Sequence, residues 1–473
     1  MHLASIRGGY SAAILLLTIF LAGCSSKNGA LTSTDGTFIG HWEGRIALES
    51  GALRVFLHIE RDSSGNPRAL MDSPDQLAFQ IPVTGITLTE DSIDLNIFPI
   101  AARYVGRLAS VDRIDGQWMQ GNSAHQVTFK RNDDIAFVRP QQPKAPFPYT
   151  QEDFAITLRD KGTLAGTLTL PQGNGPYPVA IMISGSGVQD RDETIAGHKP
   201  FFVLADQLAR NGIATLRYDD RGAGSSKANP NVSANDVAMD VLEIYTKLKS
   251  DARIDPKRIG LIGHSEGGFV AGIAAREEAE IAFAVLLASP ALPGDSILAL
   301  QYDKLVDTTY PPYLRTVQRR SLSLIKSIED SARLRHELQA MYESAYDSIG
   351  ATLKSQFKTP KAYANANVMQ LMNKALLFLV RYDPRVDLAQ LQIPILAMYG
   401  SKDLQVPAEQ NVPAMELALR GKRNVMIEVM PELNHLFQTS TTGKLDEYGT
   451  IRETIAPIAL DRIISWIRNA VTQ

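Results

Sequence analysis

A short apolar strand, Ile259 to Ile262, runs straight into Gly263-His264-Ser265-Glu266-Gly267, and a helical stretch from Phe269 to about Glu278 follows at once. No other stretch limits the possible folds as tightly. The order strand, sharp turn, helix places a serine hydroxyl beyond the end of a sheet strand, where a base and a carbonyl carbon can both reach it. Such a turn strains the serine backbone and crowds its neighbours. Gly263 and Gly267 supply positions without a Cβ where strand and helix approach most closely. The helix N-terminus then directs N–H groups and a partial positive charge at the space where an oxyanion would form.

The chain has 473 residues, which suggests two or three domains, and its 44% hydrophobic content can build a packed core. The formal charge of −3, with no basic run, argues against a nucleic-acid or other polyanionic partner. A single cysteine excludes a disulfide framework and a cysteine-rich metal site within one chain.

That cysteine is Cys24. Ahead of it lie Arg7, an apolar run from about Tyr10 to Leu21, and the small residues Ala22-Gly23, the layout of a signal peptide over residues 1–23. The run is short for a membrane span. Leu21-Ala22-Gly23-Cys24 resembles the bacterial lipoprotein cleavage box. The resemblance implies cleavage before Cys24, lipidation of that cysteine and a firm multi-chain anchor. Ser25, rather than aspartate, after the cysteine then implies the outer membrane, with the protein facing the periplasm. The small polar residues of 24–36 read as a tether.

Residues 37–132 alternate with a period of two in short stretches such as Leu53-Arg54-Val55-Phe56-Leu57 and Gln126-Val127-Thr128-Phe129-Lys130, separated by turn signals. They predict a small antiparallel all-β domain, a barrel or sandwich. Trp42-Glu43-Gly44 and Gly116-Gln117-Trp118 give it a loose resemblance to lipocalin-like barrels. His41, His58 and His125 read as isolated surface or packing residues, and no metal is expected. A stretch rich in proline and glutamine within 133–149 reads as a linker.

From residue 150 to the end, strands and helices alternate, which implies a mostly parallel sheet with helices on both faces. An opening hairpin spans Phe154 to Leu170. Ser233 to Asp236 looks like a capping box that starts a helix running to about Lys249. Residues of about 293–385 break the alternation, read as helices throughout, and suggest a helical cap over the C-terminal edge of the sheet.

Two further strands end in polar loops. Ile393 to Tyr399 leads to Gly400-Ser401-Lys402-Asp403, and Val425 to Val429 leads to Asn434-His435. Ser265, Asp403 and His435 therefore leave one sheet edge in the chain order of an α/β hydrolase. The roles follow: Ser265 attacks, His435 moves the proton, and Asp403 orients the imidazole. Asp383 and Asp387 are rival acids, but they precede their strand. The oxyanion donors expected are the amides of Glu266 and of Ser186, with Gly187 as the alternative to Ser186. His264 reads as a supporting or packing group.

Residues from about 150 onward resemble the α/β-hydrolase superfamily, in its serine aminopeptidase-like and dienelactone hydrolase-like bacterial branch, which includes carboxylesterases. The resemblance is carried by Ser184-Gly185-Ser186-Gly187, His198-Lys199-Pro200-Phe201, Asp219-Asp220-Arg221-Gly222, Gly263 to Gly268, Gly400 to Asp403 and Asn434-His435. Ser184-Gly185 departs from the common His-Gly before the oxyanion residue. The resemblance implies a lipid-anchored serine carboxylesterase that acts on a small ester through an acyl-enzyme and needs no cofactor. Alternatives are an aminopeptidase or amidase with the same triad, and a catalytically dead envelope binding protein. Arg221 is a candidate to meet a substrate carboxylate, and His198 to line the pocket or lock its loop.

Overall fold

A computed structural model describes residues 38–472, apart from 49–50, 63, 74–75, 77, 122, 133–138, 306–311, 351–353 and 355–356. The expected signal peptide, the lipidation site at Cys24 and the tether lie outside the described residues. The described chain divides into two compact units, one of residues 38–138 with 448–452, the other of 139–447 with 453–472. Among the described residues no helix is long and apolar enough to cross a membrane.

The first unit is a nine-stranded antiparallel sheet: β1 (Gly40–Leu48), β2 (Gly51–Arg61), β3 (Pro67–Ser73), β4 (Ala78–Pro82), β5 (Gly85–Leu88), β6 (Ser92–Ile97), β7 (Ala102–Ser110), β8 (Arg113–Gln120) and β9 (Ser123–Arg131). Its order is β4-β3-β2-β1-β9-β8-β7-β6-β5. The two outermost strands are joined directly by Val83 and Thr84, so the sheet must curl until its edges meet. Trp42, Leu57, Tyr104, Trp118 and Phe129 share the resulting core, and each is almost fully buried. The Tyr104 hydroxyl donates to the Val127 carbonyl at 3.1 Å, which satisfies the one polar group this ring brings inside. Two of the histidines are not isolated. His41 and His58 face each other with their Nδ1 atoms 2.8 Å apart, and His58 Nε2 lies 2.7 Å from Asp72. Among the described residues no group of three or more His, Cys, Asp or Glu side chains is placed to hold a metal.

The second unit is built on an eight-stranded sheet: β10 (Thr150–Thr157), β11 (Thr163–Leu170), β12 (Tyr177–Ile183), β13 (Ala214–Tyr218), β14 (Ile254–His264), β15 (Ala284–Leu287), β16 (Ile395–Gly400) and β17 (Val425–Met430). The order is β10-β11-β13-β12-β14-β15-β16-β17. β10 and β11 form the expected hairpin, β11 runs antiparallel to β13, and every later pairing is parallel. The inner strands are apolar on both faces because both faces are covered. On one face Ile181, Leu261, Leu286 and Ala397 pack with helices α2 (Ala234–Lys249) and α3 (Glu266–Glu277). On the other, Met182, Ile262, Val285 and Leu396 pack with α1 (Pro200–Arg210) and the C-terminal helix Pro457–Ala470. The capping box is present: the Ser233 hydroxyl accepts from the Asp236 N–H, and the Asp236 carboxylate accepts from the Ser233 N–H.

Between β15 and β16 the chain forms α4 (Gly294–Leu305), α5 (Pro312–Ser327), α6 (Ser331–Ala345), α7 (Pro360–Leu371) and α8 (Lys374–Arg381). This insertion has a core of its own, including Ile325, Leu334, Leu338, Tyr363 and Val380.

The expected linker, 133–149, is described from Arg139 onward. That part belongs to the second unit. Gln141 donates to the Ile455 carbonyl at 2.6 Å and accepts from the Thr454 N–H at 2.6 Å. Proline and glutamine content pointed to a spacer, whereas one glutamine amide with two backbone partners pins the segment down.

Candidate active site

The C-terminal ends of β12, β14, β16 and β17 lie at one edge of the sheet, and each feeds one part of the site. Ser265, between β14 and α3, has φ 53° and ψ −121°. A residue with a Cβ rarely adopts this backbone. The surrounding fold enforces it: the Ser265 N–H donates to the Leu287 carbonyl at 2.8 Å, and its carbonyl accepts from the Gly268 N–H at 3.0 Å. The two flanking glycines act as expected from their spacing. A Cβ on Gly263 would sit 2.2 Å from the Gly267 carbonyl oxygen, and one on Gly267 would sit 2.2 Å from that of Ile183.

Asp403 follows β16 and is buried. One carboxylate oxygen accepts N–H groups from Gln405 and Val406, both at 2.8 Å. The other lies 2.7 Å from His435 Nδ1. The structure thus brings together the predicted acid and base, and leaves His435 Nε2 as the nitrogen that can exchange a proton. The rival acids are engaged elsewhere. Asp383 caps the short helix Pro384–Leu388 and pairs with Arg385. Asp387 pairs with Arg276 at 2.6 Å and accepts from the Tyr382 hydroxyl at 2.6 Å.

The loop of His435 is braced from behind. Asn434 and Gln438 exchange hydrogen bonds, Gln438 Nε2 lies 2.9 Å from His198 Nε2, and His198 Nδ1 lies 3.0 Å from the Thr454 hydroxyl. Thr454 is the residue that Gln141 holds. His198 is therefore a buried strut and does not line a pocket.

The loop after β12 carries the expected oxyanion donor. Its Ser186 and the elbow's Glu266 are joined through their side chains, hydroxyl to carboxylate, at 2.7 Å. Among the described residues no acceptor takes the N–H of either. A Cβ on Gly185 would lie 3.2 Å from Ser265 Cβ, so this loop packs directly on Ser265. Burial raises the Glu266 carboxyl above its ordinary range, and the Ser186 hydroxyl draws it partly back.

Ser184, where the resembling family commonly has histidine, places its hydroxyl 2.9 Å from both oxygens of Asp220. Asp220 also accepts the Gln189 N–H at 2.9 Å. Burial pushes the Asp220 carboxyl from 3.8 up to about 7 against the pull of these donors, and the nearby Glu193 and Asp219 carboxylates push it the same way. The folded protein therefore holds a proton through this interval that the unfolded chain has released. Stability contributed at this position declines as pH rises through the same interval. Asp220→Asn keeps an acceptor oxygen but cannot ionise. Its melting temperature should match wild type in acid and exceed it in mild alkali, by on the order of a few kcal/mol in stability. Parallel thermal melts across pH check this, and an unchanged difference between the two proteins would refute it.

Arg221 does not face a substrate. Its guanidinium forms a two-pronged bond with Asp240 at 2.6 and 2.8 Å and a third with Asp160 at 2.5 Å. Arg191 is likewise held by Asp219, and Asp192 pairs with both Lys199 and Arg217. These acidic and basic residues lock the loops after β12 and β13.

The reading from sequence missed Glu193. It is 1% exposed, sits at φ 51°, and bonds both Gly185 N–H (2.7 Å) and His264 Nδ1 (2.8 Å). No local pattern marks it, because its partner is 71 residues away.

A family model described as serine aminopeptidase, S33, matches residues 199–439, a span that contains the elbow, Asp403 and His435. The chain belongs to the serine aminopeptidase family. The chain is 30% identical over 328 residues to Esterase EstD of Thermotoga maritima, with 68% of each chain covered. Among solved structures it is similar to the Pyrococcus furiosus esterase Pf2001, with a TM-score of 0.41, 17% identity, and 68% of this chain and 91% of that one covered. It is also similar to the α/β hydrolase GrgF from Penicillium sp. sh18, with a TM-score of 0.43, 18% identity, and 68% and 100% coverage. The second unit of this serine aminopeptidase family member has the α/β-hydrolase fold, and the first is the all-β domain that precedes it.

Proposed function

We propose that the protein is a carboxylesterase that works through an acyl-enzyme on Ser265. The observation that carries this reading is the Asp403–His435 bond at the sheet edge that also holds the strained serine. Ser265 Oγ attacks the ester carbonyl while His435 Nε2 takes its proton. Asp403 accepts the Nδ1–H and stabilises the imidazolium. The amides of Ser186 and Glu266 receive the oxyanion. His435 then gives its proton to the departing alkoxide, and water, activated by the same imidazole, frees the acid. Every step uses groups of this chain. The helical insertion α4–α8 leaves from the end of β15 and would cap the acyl group. Esterase EstD, the relative at 30% identity, points to the same substrate class.

A fluorophosphonate probe tests the assignment. It should label Ser265 stoichiometrically, as peptide mapping would show. A folded protein that stays unlabelled would instead be the catalytically dead envelope binder.

One observation favours a second reading, cleavage of aminoacyl esters or amides. Among the described residues no cationic side chain pairs with the Glu266 carboxylate, which has the Ser186 hydroxyl as its side-chain partner. A negative charge beside a developing oxyanion opposes the reaction, and a substrate ammonium would offset it. Glu266→Gln should lower the ratio of kcat/KM for an aminoacyl ester over its uncharged isostere by about tenfold, some 1.4 kcal/mol. An unchanged ratio would remove this reading.

We further infer that Cys24 is lipidated and holds the enzyme at the bacterial outer membrane, facing the periplasm. The support is the Leu21-Ala22-Gly23-Cys24 box behind its apolar run. Cys24→Ser should move the protein from the membrane to the soluble fraction, and continued membrane association would argue against the anchor.

A further inference from the structure

We propose that Glu193 and His264 form a buried ion pair that positions the oxyanion loop, the nucleophile elbow and the loop of the catalytic histidine as one unit. The inference rests on the Ser265–His435–Asp403 reading above. Neither residue touches a reacting atom, so both are positioning residues.

The geometry is a chain of three hydrogen bonds. Glu193 Oε1 receives the Gly185 N–H at 2.7 Å and faces His264 Nδ1 at 2.8 Å. His264 Nε2 lies 3.0 Å from the His435 carbonyl oxygen. Gly185 precedes the proposed oxyanion donor Ser186, and His264 precedes the nucleophile. Each bond therefore anchors the backbone next to a group that acts. The rings of His264 and His435 lie 4.8 Å apart. Glu193 is 1% exposed and His264 5%, so solvent does little to share these contacts.

A count of protons narrows the charge state to two possibilities. Both ring nitrogens of His264 face oxygens, one of a carboxylate and one of a peptide carbonyl. A carbonyl can only accept, and a neutral imidazole carries one N–H. Both contacts hold as hydrogen bonds either with both nitrogens protonated against a Glu193 carboxylate, or with a protonated Glu193 donating to Nδ1 of a neutral ring that keeps Nε2–H; the Gly185 N–H bonded to the same Oε1 favours the carboxylate. Burial works against an imidazolium here, but Glu193 and the His435 carbonyl outweigh it, and the His264 pKa lies above its ordinary value. A buried charge pair is a poor source of stability. Its use is to tie three loops to one another with directional, charge-assisted bonds. The left-handed backbone at Glu193, φ 51°, supports this, because strain of that kind persists where the surroundings demand one orientation.

Glu193→Gln has the same shape and no charge, and it cannot keep all three bonds. If neutral His264 gives Nδ1–H to the amide oxygen, its Nε2 lone pair faces the His435 carbonyl. If it keeps Nε2–H on that carbonyl, Nδ1 needs the amide NH2, which turns the oxygen away from Gly185. One of the three loops loses its anchor in either case.

The test compares full-length wild type, Glu193→Gln and Glu193→Asp on p-nitrophenyl acetate, with rates expressed per serine titrated by fluorophosphonate. In Glu193→Gln, kcat per titrated site should fall by about 10- to 100-fold, the scale of a misplacement near 1 Å, with KM changed less than about twofold. Glu193→Asp, which keeps the charge, should recover part of the loss. Nitrogen-15-edited imidazole spectra should show two N–H protons on His264 in wild type and one in Glu193→Gln. A Glu193→Gln enzyme with wild-type kcat per titrated site would overturn the proposal, even if fewer sites survived, since that is what a merely structural pair would give. So would a wild-type His264 with a single N–H, a measurement that stands if the variant fails to fold. A wild-type protein that neither titrates nor turns over would instead overturn the triad assignment, which separates the two failures.

Discussion

Ser265→Ala should fold as wild type does and lose turnover of p-nitrophenyl acetate by about a million-fold in kcat, down to the residual rate that binding and oxyanion donors support alone. The substitution removes one oxygen and keeps the Cβ, so the backbone at φ 53° bears the same strain with either residue. Its N–H bond to Leu287 and the glycine contacts around the turn are backbone interactions and persist. A change in melting temperature is therefore not expected, and lost activity reports on the hydroxyl. Purified protein, assayed against a mock preparation, checks the prediction. A loss of less than about tenfold would mean that some other group attacks the ester.

Asp403→Asn should cost about four orders of magnitude in kcat with little change in fold. The reason lies in which oxygen does what. Oδ1 accepts two N–H groups, from Gln405 and Val406, so the asparagine must keep its oxygen there. Its NH2 is then forced into the place of Oδ2, which faces His435 Nδ1. An amide donor at Nδ1 selects the imidazole tautomer protonated on Nε2, and that nitrogen can no longer accept the serine proton. Asp387→Asn is the control. It removes the charge that pairs with Arg276 and leaves one acceptor oxygen for the two donors, Arg276 and the Tyr382 hydroxyl, so it should lower stability while leaving kcat within a fewfold. Equal losses of kcat in both variants would contradict the assignment of Asp403.

The positions of Ser265, Asp403 and His435 at the sheet edge were legible in the sequence because each follows an apolar strand at a fixed place in the alternation. Continuous runs such as Ile259 to Ile262 are buried on both sides, which makes them easy to see, and the polar residue after such a run is at the sheet edge by construction of the fold. The hairpin of β10 and β11 and the capping box at Ser233 were legible for similar local reasons. The all-β unit was harder. β3 begins on a proline, β4 ends on one, and β5 has four residues, so none holds an alternation long enough to register. Glu193 was invisible for a different reason. A glutamate in a loop carries no sign that it will turn inward, and its meaning depends on a histidine contributed by another strand. The commitments of Arg221 and His198 were equally hidden, since Asp160, Asp240, Gln438 and Thr454 come from four distant places.

The succession from Gln141 through Thr454, His198 and Gln438 to the neighbour of His435 bears on how the catalytic unit can be excised. Cutting just ahead of Tyr149, where the strand pattern begins, would discard Gln141 and unseat Thr454. Activity lost that way would be blamed on the missing all-β unit, although the damage would be internal to the hydrolase. The informative excision keeps Arg139 as its first native residue.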